Sequence, residues 1–180
     1  MPSVAAMDVS QLLQEVLGRA SALAPTVVDG LSEEDLARAP QPGANTVAWL
    51  VWHQARVMDD HLADAAGLEQ VWTTPVDGDG GRTWADRLAL DLPREDTGYG
   101  HTTDEVARVR ASAEDLAGYA RAVGERADAV VAGLGEQDLD RVVDEAWDPP
   151  VTYGVRLASV ASDCLQHLGQ ASYVRGLLGR

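Results

Sequence analysis

The chain has 180 residues and a formal net charge of −15, with 29 Asp and Glu against 14 Arg and no Lys. That balance excludes a nucleic-acid partner, which needs clustered cations around its phosphates, and argues against an anionic membrane surface. No run approaches the roughly 18 apolar residues that span a bilayer, and a hydrophobic share of 46% is that of an ordinary globular protein, expected here as one domain over residues 1–180.

Met1-Pro2-Ser3-Val4 offers no basic region ahead of an apolar run, so no secretory signal is expected. Cys164 is the only cysteine and cannot form an internal disulfide, which fits a reducing cytoplasm. Lys, Ile and Phe, whose codons are AT-rich, are all absent, pointing to a GC-rich genome.

The first periodic segment runs from Asp8, a suitable N-cap, to about Leu23, with Val9, Leu12, Leu13, Val16 and Leu17 on one face. Pro25 and Gly30 punctuate its end, and a short helical turn opens at Ser32 with Asp35 in a capping-box-like position. A second long helix is predicted from about Asn45 to Ala66, stopped at Gly67. Residues 68–100 contain Pro75, the run Asp77-Gly78-Asp79-Gly80-Gly81, Pro93 and Gly98, so they read as a crossover with one short helix around Trp84–Leu90. The spacing predicts a third helix from Thr102 or Thr103 to Val131, and a fourth from Thr152 to the C-terminus. Strand-type alternation is scarce.

An internal repeat supports this layout. Residues 27–38 (VVDGLSEEDLAR) match residues 130–141 (VVAGLGEQDLDR) at 8 of 12 positions. Each copy follows a long helix and precedes another that carries a histidine. The expected fold is therefore an all-α four-helix bundle, built as two helical hairpins related by a pseudo-twofold and joined by the long crossover between helices two and three.

Four histidines are available for chemistry. His53 lies in mid-helix among Trp49, Leu50, Arg56 and Val57, a setting that taken alone more often means a core residue than a ligand. His167 follows Asp163 by four residues, which stacks an imidazole and a carboxylate on one helix face, a spacing that can chelate one divalent cation. The repeat puts His53 and His167 on equivalent helices, so His53, Asp163 and His167 are predicted to converge inside the bundle. Asp60 is a reserve ligand. Gln170, one turn beyond His167, either orients that ring or belongs to helix packing around Gly169 and Ala171. Cys164 is expected in the core, His61 and His101 in solvent. Trp72, Trp84 and Trp147 fall outside the long helices and could form an interface or a pocket mouth.

Several segments resemble the DinB-like (YfiT-like) proteins. Asn45-Thr46-Val47-Ala48-Trp49-Leu50-Val51-Trp52-His53 is similar to their second-helix motif, Gln166-His167-Leu168-Gly169-Gln170-Ala171 to the His-x-Gly-Gln segment of their last helix, and Leu31–Leu36 to the turn before helix two. The resemblance implies a four-helix bundle with a three-ligand metal centre, usually three histidines, which here fall on His53, Asp163 and His167. A carboxylate in the middle position departs from the usual set and is similar to the mycothiol-dependent maleylpyruvate isomerase branch. What this implies is a divalent-metal enzyme, with zinc or nickel, that joins a low-molecular-weight thiol such as mycothiol to an electrophile. Arg56, Arg156 and Arg175 are the cations nearest the ligands in sequence and could hold anionic groups of such a cofactor; ordinary surface pairing is the plainer reading. The competing expectation is a non-catalytic metal-binding bundle or homodimeric interaction module.

Overall fold

Side-chain caps begin all four long helices in the computed structural model, which describes residues 6–180. The reading of Met1-Pro2-Ser3-Val4 lies outside those residues. Helix α1 (Val9–Val28) starts on the Asp8 carboxylate, which accepts the Gln11 amide while the Gln11 side chain reaches back. It does not stop at Leu23: it continues through Pro25, because Ala24, Val27 and Val28 are buried and their packing outweighs the lost helical bond. The one-turn α2 (Glu33–Leu36) is capped by Ser32. Helix α3 (Val47–Ala66) runs from the Thr46 cap to Gly67, whose φ of 66° takes the left-handed turn that ends it.

The crossover carries the one-turn α4 (Trp84–Leu88). The third long helix differs from expectation. Thr102 caps a single turn, α5 (Thr103–Val106), the chain breaks over residues 107–112, and Ser112 then caps α6 (Ala113–Val131). Two N-caps ten residues apart each start a helix, and the valine periodicity that bridges them conceals the break. A short hairpin, β1 (Val142–Asp144) with β2 (Val151–Thr152), precedes α7 (Tyr153–Leu177), which is capped by Thr152, at the start expected for it. Among the described residues the chain thus forms seven α-helices and one two-stranded sheet, and no helix is long and apolar enough to cross a membrane.

The two repeat copies diverge at one residue. Where Ser32 caps α2, the second copy has Gly135, and a 3₁₀ turn forms instead with Asp138 reaching back to the Gly135 amide at 2.8 Å. The expected hairpins are not adjacent pairs. Helix α1 lies against α6 and α7, α3 lies against α7 and α6, and the members of each expected hairpin, α1 with α3 and α6 with α7, occupy diagonals of the bundle. Connections over residues 29–46 and 132–152 are long enough to cross the bundle end to the diagonal position.

One buried polar network fixes the crossover to this frame. Arg56 is fully buried and donates to the Asp96 carbonyl (3.1 Å), the Gln70 side chain (3.0 Å) and, more loosely, the Glu95 carbonyl (3.5 Å). One turn on, Asp59 accepts the amides of Val71 and Trp72 and the Tyr119 hydroxyl, at 2.8, 2.8 and 2.9 Å, and lies 3.6 Å from Arg56. Burial pushes the Asp59 carboxyl up, partly offset by those bonds. Asp59→Ala strands three donors and a buried guanidinium, so we expect a loss of about 3–5 kcal/mol, read as a lowered urea midpoint.

Candidate metal centre

His53 sits on α3 with 5% of its surface exposed. Its Nδ1–H donates to the Thr97 carbonyl at the end of the crossover, which leaves Nε2 as the bare, metal-competent nitrogen. The Trp49 ring stacks on the imidazole, with centroids 4.5 Å apart and planes 14° from parallel. Trp49 is itself held by a relay: its Nε1–H donates to His101 Nδ1 at 3.0 Å, and His101 Nε2–H donates to Asp96 at 2.8 Å. The second oxygen of Asp96 accepts the Gly98 amide at 2.9 Å. Gly98 has φ of +92°, and a Cβ there would lie 2.8 Å from His53 Nδ1, so both backbone and space demand glycine.

Helix α7 supplies the other two donors. Asp163 and His167 lie one turn apart, Oδ1 to Nε2 3.5 Å, and the rings of His167 and His53 meet edge-to-face at 4.7 Å. The Gln170 side-chain oxygen accepts from His167 Nδ1 at 3.2 Å, so Gln170 orients the ring and leaves Nε2 for a ligand role. One atom each of His53, Asp163 and His167 lies within 4.8 Å of the others. Metal–donor bonds of about 2.0–2.2 Å put all three within reach of one cation after small side-chain rotations.

The carboxylate supplies the test of fit. Asp163 Oδ2 is buried with no hydrogen-bond partner among the described residues. A buried, unpartnered oxygen on a carboxylate grouped with two imidazoles fits a cation site. Burial raises the Asp163 carboxyl, but the bond to His167 and the charges of His167, His53 and His61 outweigh it and hold it below the usual range. The same bond raises His167, whereas burial lowers His53 despite the Thr97 carbonyl.

Above these donors opens a cleft of about 520 Å³, walled by α3, α7, the crossover end and the hairpin. Of the three arginines singled out in the sequence, only Arg156 lines it. Arg156 bonds Asp144 and His61 Nδ1, each at 2.8 Å. Arg56 is the buried crossover anchor, and Arg175 donates to the carbonyls of Thr26, Val27 and Asp29, closing the end of α1. Both are engaged elsewhere in the fold, outside the cleft lining. Asp60 lines the cleft and accepts from Gln70 at 2.8 Å, outside the group of three. His61 also lines it, half-exposed, whereas the His101 side chain is 4% exposed and not the solvated ring expected. Trp72 and Trp84 are core residues; Trp147 stands at the cleft. Cys164 is buried, as its helical position required.

Residues 17–171 match the DinB superfamily. The chain belongs to that superfamily. A conserved protein of Enterococcus faecalis, known from its crystal structure, is 33% identical with a TM-score of 0.84, and the match covers 97% of this chain and 100% of that one. No curated protein matches. Membership of the DinB superfamily thus accompanies a possible His-Asp-His metal site, without a named activity.

Two substitutions probe the site. Asp163→Ala should cut zinc affinity by more than the roughly 10–100-fold that loss of a supporting residue costs, while Asp163→His should keep a site; chelator competition measures both. Gly98→Ala should cost about 1–3 kcal/mol in stability and loosen zinc as well, because it displaces the carbonyl loop from His53.

Proposed function

We propose that this DinB chain is a divalent-metal enzyme that transfers the sulfur of a low-molecular-weight thiol to an electrophile, or isomerises through such an adduct. The carrying observation is the grouping of Asp163, one of whose oxygens is buried without a partner, with His53 and His167, beside an open cleft that His53 and Asp163 line. Two imidazoles and a carboxylate suit zinc first and nickel second. A metal held there would supply Lewis acidity, favouring the deprotonated form of a bound thiol or water near neutral pH and polarising a carbonyl.

The remaining steps fall to the chain itself. With their Nδ1 atoms engaged by Thr97 and Gln170, His53 and His167 each keep Nε2 free for a ligand role. His61 accepts from Arg156 through Nδ1, so its own proton resides on Nε2, a donor for a ligand in the cleft it lines. Burial and then the Arg156 charge lower His61, which keeps it neutral at physiological pH. Mycothiol is the proposed thiol: the composition points to a GC-rich source, where that thiol occurs, and the carboxylate ligand is similar to the mycothiol-dependent branch. Arg156 is the one arginine that lines the cleft.

A dimeric interaction module is the second reading. It is favoured by the outer face of α7, where Leu165, Tyr173 and Leu177 are exposed and no Asp, Glu or Arg occurs between Asp163 and Arg175. Two chains of charge −15 can meet only where charge is sparse.

Calorimetric titration of mycothiol and its disulfide into zinc-loaded protein separates the readings. The enzyme should bind the thiol more tightly by about tenfold or more, and His53→Ala should abolish the preference. Equal affinities, together with a dimer in sedimentation, would favour the module.

A further inference from the structure

The chain has five Trp, four Tyr and no Phe, and six of those rings (Trp49, Trp52, Trp72, Trp84, Tyr119 and Tyr153) are buried in the core. Of the three left outside, Tyr99 (92% exposed) and Trp147 (66% exposed) line the same cleft as His53 and Asp163. They come from separate segments. Tyr99 stands between Gly98 and Gly100, both at positive φ, at the end of the crossover, and Trp147 lies on the loop between β1 and β2. Val57, Val151, Val155 and Val160 add an apolar wall. Large rings left in solvent beside aliphatic wall are the usual lining of a small-molecule pocket, and the cleft volume falls within the ordinary range for one.

Charge decides what kind of molecule fits. Asp60, Asp144 and Asp163 all border the cleft region, against one guanidinium, Arg156. Both terminal nitrogens of Arg156 are already engaged, one by His61 and one by Asp144. The Ala146 amide, with Arg156, keeps Asp144 ionised, so that pair is neutral as a unit. An anionic tail would meet the Asp60 carboxylate with no free guanidinium to offset it, whereas a neutral ring would cover Trp147 and the valines without that cost.

We infer that the cleft binds an uncharged aromatic group between Trp147 and the valine wall, on a molecule whose other end reaches His53, Asp163 and His167. The ring subsite stands on the cleft alone; its connection to the donors rests on the metal-enzyme reading above. The substrate class is a neutral aryl compound bearing an oxygen or sulfur head, and not the anionic cofactor that three arginines would have implied.

The test follows indole N–H signals by NMR, with Trp147→Phe identifying the Trp147 resonance. In metal-free protein, benzyl alcohol should move that signal and leave the four buried indoles in place, saturating at about tenfold lower concentration than benzoate. No movement, or benzoate saturating as readily, overturns the ring subsite. In zinc-loaded protein, acetohydroxamate reports the metal alone, and benzohydroxamate should bind about tenfold more tightly, an advantage that Trp147→Ala removes. Equal affinity of the two hydroxamates also overturns the subsite while leaving the metal reading intact. If neither hydroxamate binds, the metal reading fails and the benzyl alcohol result decides the subsite by itself.

Discussion

Two side chains one turn apart on α3, Arg56 and Asp59, hold both ends of the crossover. Asp59 takes the entering amides of Val71 and Trp72; Arg56 takes the leaving carbonyls of Glu95 and Asp96. Burying an ion pair costs desolvation, and its attraction repays that only when the remaining donors and acceptors are matched. Here they are matched by crossover backbone, so the pair specifies where a segment without regular structure must lie. The Thr97 carbonyl follows immediately after Asp96 and reaches His53, which gives the first ligand its tautomer. The placement of the candidate metal ligand on α3 therefore depends on an ionic contact outside the group of three.

The bundle topology supplies the second half of the site. Its diagonals carry the expected hairpin pairs, α1 with α3 and α6 with α7, and its sides include the repeat-equivalent ones, α1 with α6 and α3 with α7. The prediction that His53 and His167 approach each other needed only the latter adjacency, which is why it survives although the hairpins do not exist as side-by-side pairs. Trp49 then lies against both rings, stacked on His53 and edge-on to His167 at 5.9 Å. The second-helix motif and the last-helix motif meet through that indole.

Features encoded by a residue type at a fixed local spacing were legible in the sequence. Asp8, Thr46, Ser112 and Thr152 each mark a helix start, and the four-residue step from Asp163 to His167 fixes their shared face. Ser112 was there to be read, and the valine pattern drew attention from it. Features that depend on distant backbone were not legible. Nothing about Arg56 in its own window distinguishes a buried anchor from a cleft cation, because its partners lie some forty residues away. Thr97 acts through a carbonyl, which every residue has. Gly98 offered the one usable hint, since a glycine ahead of Tyr99-Gly100 marks backbone that must bend close to something, yet the sequence does not say that His53 is its neighbour.

The step from Asp163 to Cys164 shows how one helix separates chemistry from support. Consecutive residues point about 100° apart, so Asp163 faces the cleft while Cys164 enters the core, its Sγ 3.5 Å from the Gln54 carbonyl. Burial, followed by the Asp163 charge, pushes that thiol far above its ordinary value, and it cannot serve as a thiolate. Since Cys164 is the only cysteine, any sulfur nucleophile must enter as a ligand. The chain's charge then acts in opposite directions on the two partners proposed for it. A field set by −15 draws a divalent cation toward Asp163 and repels an anionic thiol or electrophile. A molecule that reaches the donors against that field must gain its affinity from apolar contact with Trp147 and the valines and from neutral donors such as His61. The acidity that helps load the site thereby also selects what the site can use.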